Sequence, residues 1–121
     1  MALEHEIAQF GQRMGMANLA FPPEGPLALD IATVGRVYFE REPGELLLYL
    51  ARDVPPHDGD AARRILSLCH YSKGHPIPLQ GGLHKGQAIL ISRVAERGAV
   101  ASFLENAVRY LAERMDGIFR D

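Results

Sequence analysis

Leu3, Ile7, Phe10 and Met14 recur at spacings of four, three and four. That spacing puts them on one face of a helix. Gly15 follows and can stop the helix in a left-handed conformation. Ala17 to Pro26 holds Pro22, Pro23, Gly25 and Pro26; residues without a backbone donor mark a connection rather than an element. Leu27, Leu29 and Ile31 then alternate with Ala28 and Asp30, the period of a strand. Gly35 breaks the pattern, and Val37, Tyr38 and Phe39 suit a second strand. Glu42-Pro43-Gly44-Glu45 reads as a turn. Leu46 to Arg52 reads as a third strand, apolar on both faces until Arg52. Short strands joined by tight turns predict an antiparallel meander.

A proline-containing loop, Asp53 to Gly59, leads to Asp60 as the expected N-cap of a second helix. Ala61, Ile65, Leu68 and Ser72 follow at helical spacing, with Gly74 as the stop. Ile77 to Leu83 is a weaker strand, interrupted by Gly81 and Gly82. His84-Lys85-Gly86 reads as a three-residue hairpin loop, and Gln87 to Val94 as a strong strand. Val100, Leu104, Ala107, Leu111, Met115 and Ile118 mark a long final helix. The predicted order is α-β-β-β-α-β-β-α, an α+β fold with an antiparallel sheet packed by helices. A chain of 121 residues with no repeat and no low-complexity segment is read as one domain over residues 1–121.

Composition narrows the class. The hydrophobic fraction of 47% is that of a folded domain. A net charge of −2, from 13 basic and 15 acidic residues, argues against a nucleic-acid binder. The adjacent basic pair, Arg63 and Arg64, is read as a solvated helix face. The single cysteine, Cys69, cannot form an internal disulfide, and Glu4 and Glu6 break any signal-peptide pattern at the N-terminus. The expectation is a cytoplasmic bacterial protein.

Candidate chemistry is sparse. The five histidines include His70 and His75, but zinc needs three or four converging ligands and no HExxH or CxxC spacing occurs. Cys69 and His70 are adjacent on a helix, so they point about 100° apart and do not face each other as nucleophile and base. Gly81, Gly82, Lys85 and Gly86 lack the GxxxxGK[ST] pattern and the following helix that hold a phosphate. Glu40, Glu42 and Glu45 surround a turn, where solvated charge is the simpler reading. No catalytic residue, metal ligand or cofactor is assigned.

Four stretches carry a resemblance: Ala8 to Met16; Leu27 to Ile31 with Val37 to Glu40 after it; Glu45 to Arg52; and Gln87 to Val94 followed by the helix from Val100 to Phe119. In this order they resemble the class I type III secretion chaperones, the Tir chaperone or CesT family. The short length and Leu48-Tyr49-Leu50-Ala51-Arg52 are most similar to the SycN-like members, whose client is the secretion gatekeeper. The resemblance implies a dimer that holds a secreted effector or gatekeeper in extended form, on apolar grooves and a sheet edge. It implies no nucleotide; the charge balance already argues against a nucleic-acid partner, and no apolar run approaches the ~20 residues that membrane insertion needs.

Carried onto this chain, the resemblance offers Phe10, Met14, Met16, Leu19, Phe21, Leu29 and Val37 as client-binding residues. Phe10 and Met14 share a stripe with Leu3 and Ile7, so they equally fit a core. Met16, Leu19 and Phe21 lie outside helical periodicity and are the better groove candidates. For a dimer interface it offers Ile65, Leu68, Cys69, Leu83, Ile89 and Ile91. Ile65, Leu66, Leu68 and Cys69 span a wide arc, wide enough for one side to meet its own sheet and another a partner. The partner can be a second copy or a different small chaperone. The readings from other classes are a small α+β ligand-binding protein or enzyme with a pocket between sheet and helices, and a transcriptional regulator acting by partner capture.

Overall fold

The computed structural model describes residues 2–70 and 77–119. Its elements are α1 (Ala2–Arg13), β1 (Leu27–Ile31), β2 (Gly35–Glu42), β3 (Glu45–Asp53), α2 (Ala61–Leu68), β4 (Gln80–His84), β5 (Gln87–Ala95) and α3 (Ala101–Phe119), with a 3-10 turn at Glu96–Gly98 before α3. The strands form one antiparallel sheet in the order β1-β2-β3-β5-β4. The predicted α+β order and meander are therefore observed. The chain leaves the meander through α2 and returns as a hairpin on the far side of β3.

The central strand β3 explains the core. Leu46, Leu48 and Leu50 are buried against the helices. Leu48 lies between Phe39 of β2 and Ser92 of β5, and Leu50 between Val37 and Leu90. From α1, Leu3, Ile7 and Phe10 enter the same core, and Phe10 meets Phe39 edge-to-face at 5.2 Å between ring centroids. From α3, Leu104, Leu111 and Met115 complete it. Leu47 and Ala51, on the face with no helix over it, are buried too, which is why β3 reads as apolar on both sides.

Polar ties hold the helices in register. The Glu6 carboxylate accepts the Ala101 N–H at 2.7 Å, so a side chain of α1 satisfies one of the orphan donors at the start of α3. Arg52 donates to the Val34 carbonyl at 2.6 Å and to Asp116 at 2.5 Å, joining the β1–β2 turn to α3. Arg64 donates to Asp58 and to the Ile118 carbonyl. The pair Arg63–Arg64 is thus not one solvated face: Arg63 is solvated, while Arg64 is half-buried and pins α2 to the end of α3.

Several local readings change. Gly15 does stop α1: with φ of +83° it sits after the last turn, and the Met16 N–H donates back to the Gly11 carbonyl at 2.7 Å. Asp60 makes no side-chain capping bond, and α2 ends at Leu68 with Cys69 as its cap. The expected continuation through Ser72 to Gly74 falls outside the described residues. β4 begins at Gln80 rather than Ile77. The β4–β5 loop has two residues, since His84 pairs with Gln87, and Lys85 and Gly86 both take positive φ, as a tight primed turn requires.

Gly81 has a role that its reading as a strand interruption missed. A Cβ there would stand 2.8 Å from Ile65 Cγ2, 2.9 Å from Leu90 Cδ2 and 3.1 Å from Cys69 Sγ. The glycine lets α2 close onto the sheet. Gly81→Val should cost about 1–3 kcal/mol by overpacking, read as a lower urea midpoint. Gly82, whose Cβ position is open, should accept Ala within about 0.5 kcal/mol.

Candidate functional site

The residues offered for client binding lie on α1, in the segment after it, and on β1 and β2, at different depths. Phe10 and Val37 are fully buried, and Leu29, which pairs with Val37, is 8% exposed. Met14, Met16, Leu19 and Phe21 are half-buried against the rim of that core. Leu19 rests on Gly11 so closely that a Cβ on the glycine would stand 2.7 Å from Leu19 Cβ. Phe21 lies under the Arg41 guanidinium, 5.1 Å from the ring centroid. Arg41 also holds Glu4 of α1 at 2.5 Å, and this hydrogen bond keeps the Glu4 carboxyl below its usual range. Among the described residues β1 is an outer strand, paired with β2.

The residues offered for a dimer interface gather at the opposite end, around α2 and the other outer strand, β4. Ile65 is core; Leu68 and Cys69 are half-buried. Leu83 on β4 is 47% exposed. Ile89 and Ile91 are half-buried on the uncovered face, opposite Gly82 and Gln80. Leu66 was not among the residues offered, yet at 69% it heads the exposed large hydrophobic side chains. Its signal was the wide apolar arc of α2, of which it forms the outer side.

The uncovered sheet face joins the two ends. Tyr38 and Tyr49 lie opposite each other with ring centroids 6.3 Å apart. Tyr49 donates to Glu40 at 2.7 Å. Burial first, and then the Glu40 carboxylate, push the Tyr49 phenol up to about 12. The unfolded phenol titrates near 10, so the fold holds this proton longer than the unfolded chain does. The associated stability is complete below about pH 10 and is lost as pH rises from 10 towards 12. Tyr49→Phe should flatten that part of a urea-midpoint profile.

At one end of this face lies an open depression of about 750 Å³ lined by Asp30, Ile31, Gly35, Arg36, Arg52, Asp53 and Gln87, among others. Its carboxylates are engaged by neighbours: Asp30 with Arg36 at 3.6 Å, and Asp53 with the Gln87 amide at 3.1 Å. They do not converge on a common point, as acid–base chemistry or a metal would need. Among the described residues no group of three His, Cys, Asp or Glu is placed to hold a metal. No described helix is long and apolar enough to cross a membrane.

Residues 2–118 match the family model described as type III secretory system chaperone SycN. The chain belongs to that family. The match spans nearly the whole sequence, so it takes in both ends of the sheet. The fold agrees with it. The chain is similar to the Yersinia pestis type III secretion chaperone SycH, solved in complex with a stable fragment of YscM2, at a TM-score of 0.74 and 12% identity, covering 96% of this chain and 98% of that one. It is similar to a chain of the HopA1–SchA chaperone–effector complex at a TM-score of 0.69 and 18% identity, covering 93% and 89%. The fold also occurs in YbjN from E. coli, a proposed transcription regulator, at a TM-score of 0.56 and 12% identity, covering 91% and 83%. Architecture is therefore shared beyond secretion chaperones, and the family match carries the assignment. Among curated proteins none matches the sequence.

Proposed function

We propose that this type III secretion chaperone acts in the cytoplasm as a dimer, holding one secreted effector or gatekeeper in an extended, secretion-competent form. The observation that carries the reading is the separation of its surface apolar side chains. Met14, Met16, Leu19 and Phe21 stand just after α1, with Leu19 on Gly11 and Phe21 under Arg41 of β2, while Leu66 and Leu83 stand at the α2–β4 end. One molecule thus has two apolar surfaces that need not compete. At the β1 edge the outward backbone groups can take a client strand, and the surface beside α1, where the thioethers of Met14 and Met16 stand, can take its apolar anchors. The α2–β4 end is assigned to the partner chaperone, a second copy or a different small chain. The relatives with YscM2 and HopA1 support such client binding. The work is binding alone, with no cofactor and no catalytic group.

Removing the gene from the native host tests this reading. At least one protein should fall about tenfold or more in the secreted fraction, with recovery when the full chain is supplied again. A secreted fraction unchanged by the deletion contradicts it.

A further inference from the structure

The segment from Ala17 to Pro26 is held in an unusual way. Among the described residues none of these ten makes a backbone–backbone hydrogen bond, and none makes a side-chain hydrogen bond or ion pair. Glycines with φ of +83°, Gly15 and Gly25, stand just before it and near its end, each with open space around it. Two side chains attach it. Leu19 sits on Gly11 near the C-terminal end of α1, and Phe21 sits under Arg41, which is itself tied to Glu4 near the N-terminal end. From Gly11 the segment therefore turns back towards Arg41, whose guanidinium joins Phe21 to Glu4 of α1. Arg41 and Glu4 are 38% and 48% exposed, so the latch over Phe21 is a surface ion pair of modest strength.

Resting on the chaperone reading, we infer that Ala17–Pro26 is an internal strap: Leu19 and Phe21 fill the client surface beside α1, rather than forming its walls, and lift when an extended client segment binds. The contacts define the occupant that replaces them. It is an extended peptide with an aliphatic anchor for the Gly11 site and an aromatic anchor two residues later for the Arg41 site. Gly11 is what makes the first site deep enough, because any Cβ there would meet the anchor. A tethered strap competes at an effective concentration on the order of millimolar. Apparent client affinity then falls in proportion to the fraction of molecules with the strap lifted, which favours clients with both anchors over segments with one.

The strap's own sequence is the probe. A fluorescein-labelled peptide of residues 16–26 is titrated into the full chain and into the full-length L19S/F21S variant, with polarisation as the readout. The variant, melting cooperatively, should bind the peptide at least about tenfold more tightly than the unchanged chain. Equal affinities, or no binding to either, overturn the strap. So does a variant that no longer melts cooperatively, because Leu19 and Phe21 are then core. A second measurement avoids an emptied site. The chain contains no tryptophan, so Phe21→Trp places a single reporter under Arg41. Saturation with the native client should shift its emission to the red and open it to iodide quenching. An unchanged spectrum with client bound leaves the strap seated and sinks this inference alone. Finding no client at all sinks the chaperone reading, while the peptide titration still tests the strap.

Discussion

Phe10→Ala should destabilise the fold by about 3–5 kcal/mol, the cost of removing a large buried aromatic side chain and leaving a cavity. Phe10 is fully buried, and its ring meets Phe39 edge-to-face with planes at 74°, a geometry that adds to simple burial. Domains of this kind are stable by only about 5–15 kcal/mol, so the loss is a large part of the total. Urea unfolding followed by circular dichroism reads it directly, and Phe10→Leu should recover most of the stability. The same variant separates the two readings of the α1 stripe. If Phe10 contacted the client from an open groove, Ala would weaken client binding and leave the urea midpoint in place. A midpoint unchanged by Phe10→Ala contradicts the core described here.

Leu66→Arg should abolish association through the α2–β4 end and leave the chain at its single-chain mass of 13.3 kDa. The side chain is 69% exposed and lies outside the core cluster, so stability should move by no more than about 0.5 kcal/mol. A stable interface buries on the order of 1,200–2,000 Å², and a charge placed at its apolar centre has no partner there. Leu68→Arg is the less informative substitution, since Leu68 packs against the core and its loss mixes folding with association. Leu83→Arg, from the neighbouring outer strand, should act like Leu66→Arg. If the partner is a different small chaperone, both variants should lose that chain on co-purification. A dimer that survives both substitutions removes this end from the interface.

The order of elements was legible because each left a period in the sequence. Leu27, Leu29 and Ile31 alternate and form β1; Val100 to Ile118 keeps helical spacing and forms α3 but for its first residue. Depth within the site was less legible. Phe10 and Met14 share one helical stripe, yet one is fully buried and the other lies at the rim, because Met14 falls just past the end of α1. Glycines were read by propensity, and their packing partners are distant in sequence: Gly11 meets Leu19, and Gly81 meets Ile65. Asp60 has the right residue type for a cap, but the Asp58 carboxylate accepts its N–H instead. Arg64 looked like its neighbour Arg63 because nothing local reveals the Ile118 carbonyl. The run of Leu46 to Ala51 did announce that both faces of β3 are buried; that one of them lacks a helix is a property of topology, not of the strand.

The central claim is that this chain binds a secreted protein in extended form. Capture of the tagged full-length chain from its native host under secreting conditions, with the co-purifying proteins identified and counted, tests it most directly. The account predicts one secreted protein in fixed stoichiometry, bound through a segment with no globular structure of its own. Recovery of the chain without a secreted partner under those conditions would contradict it.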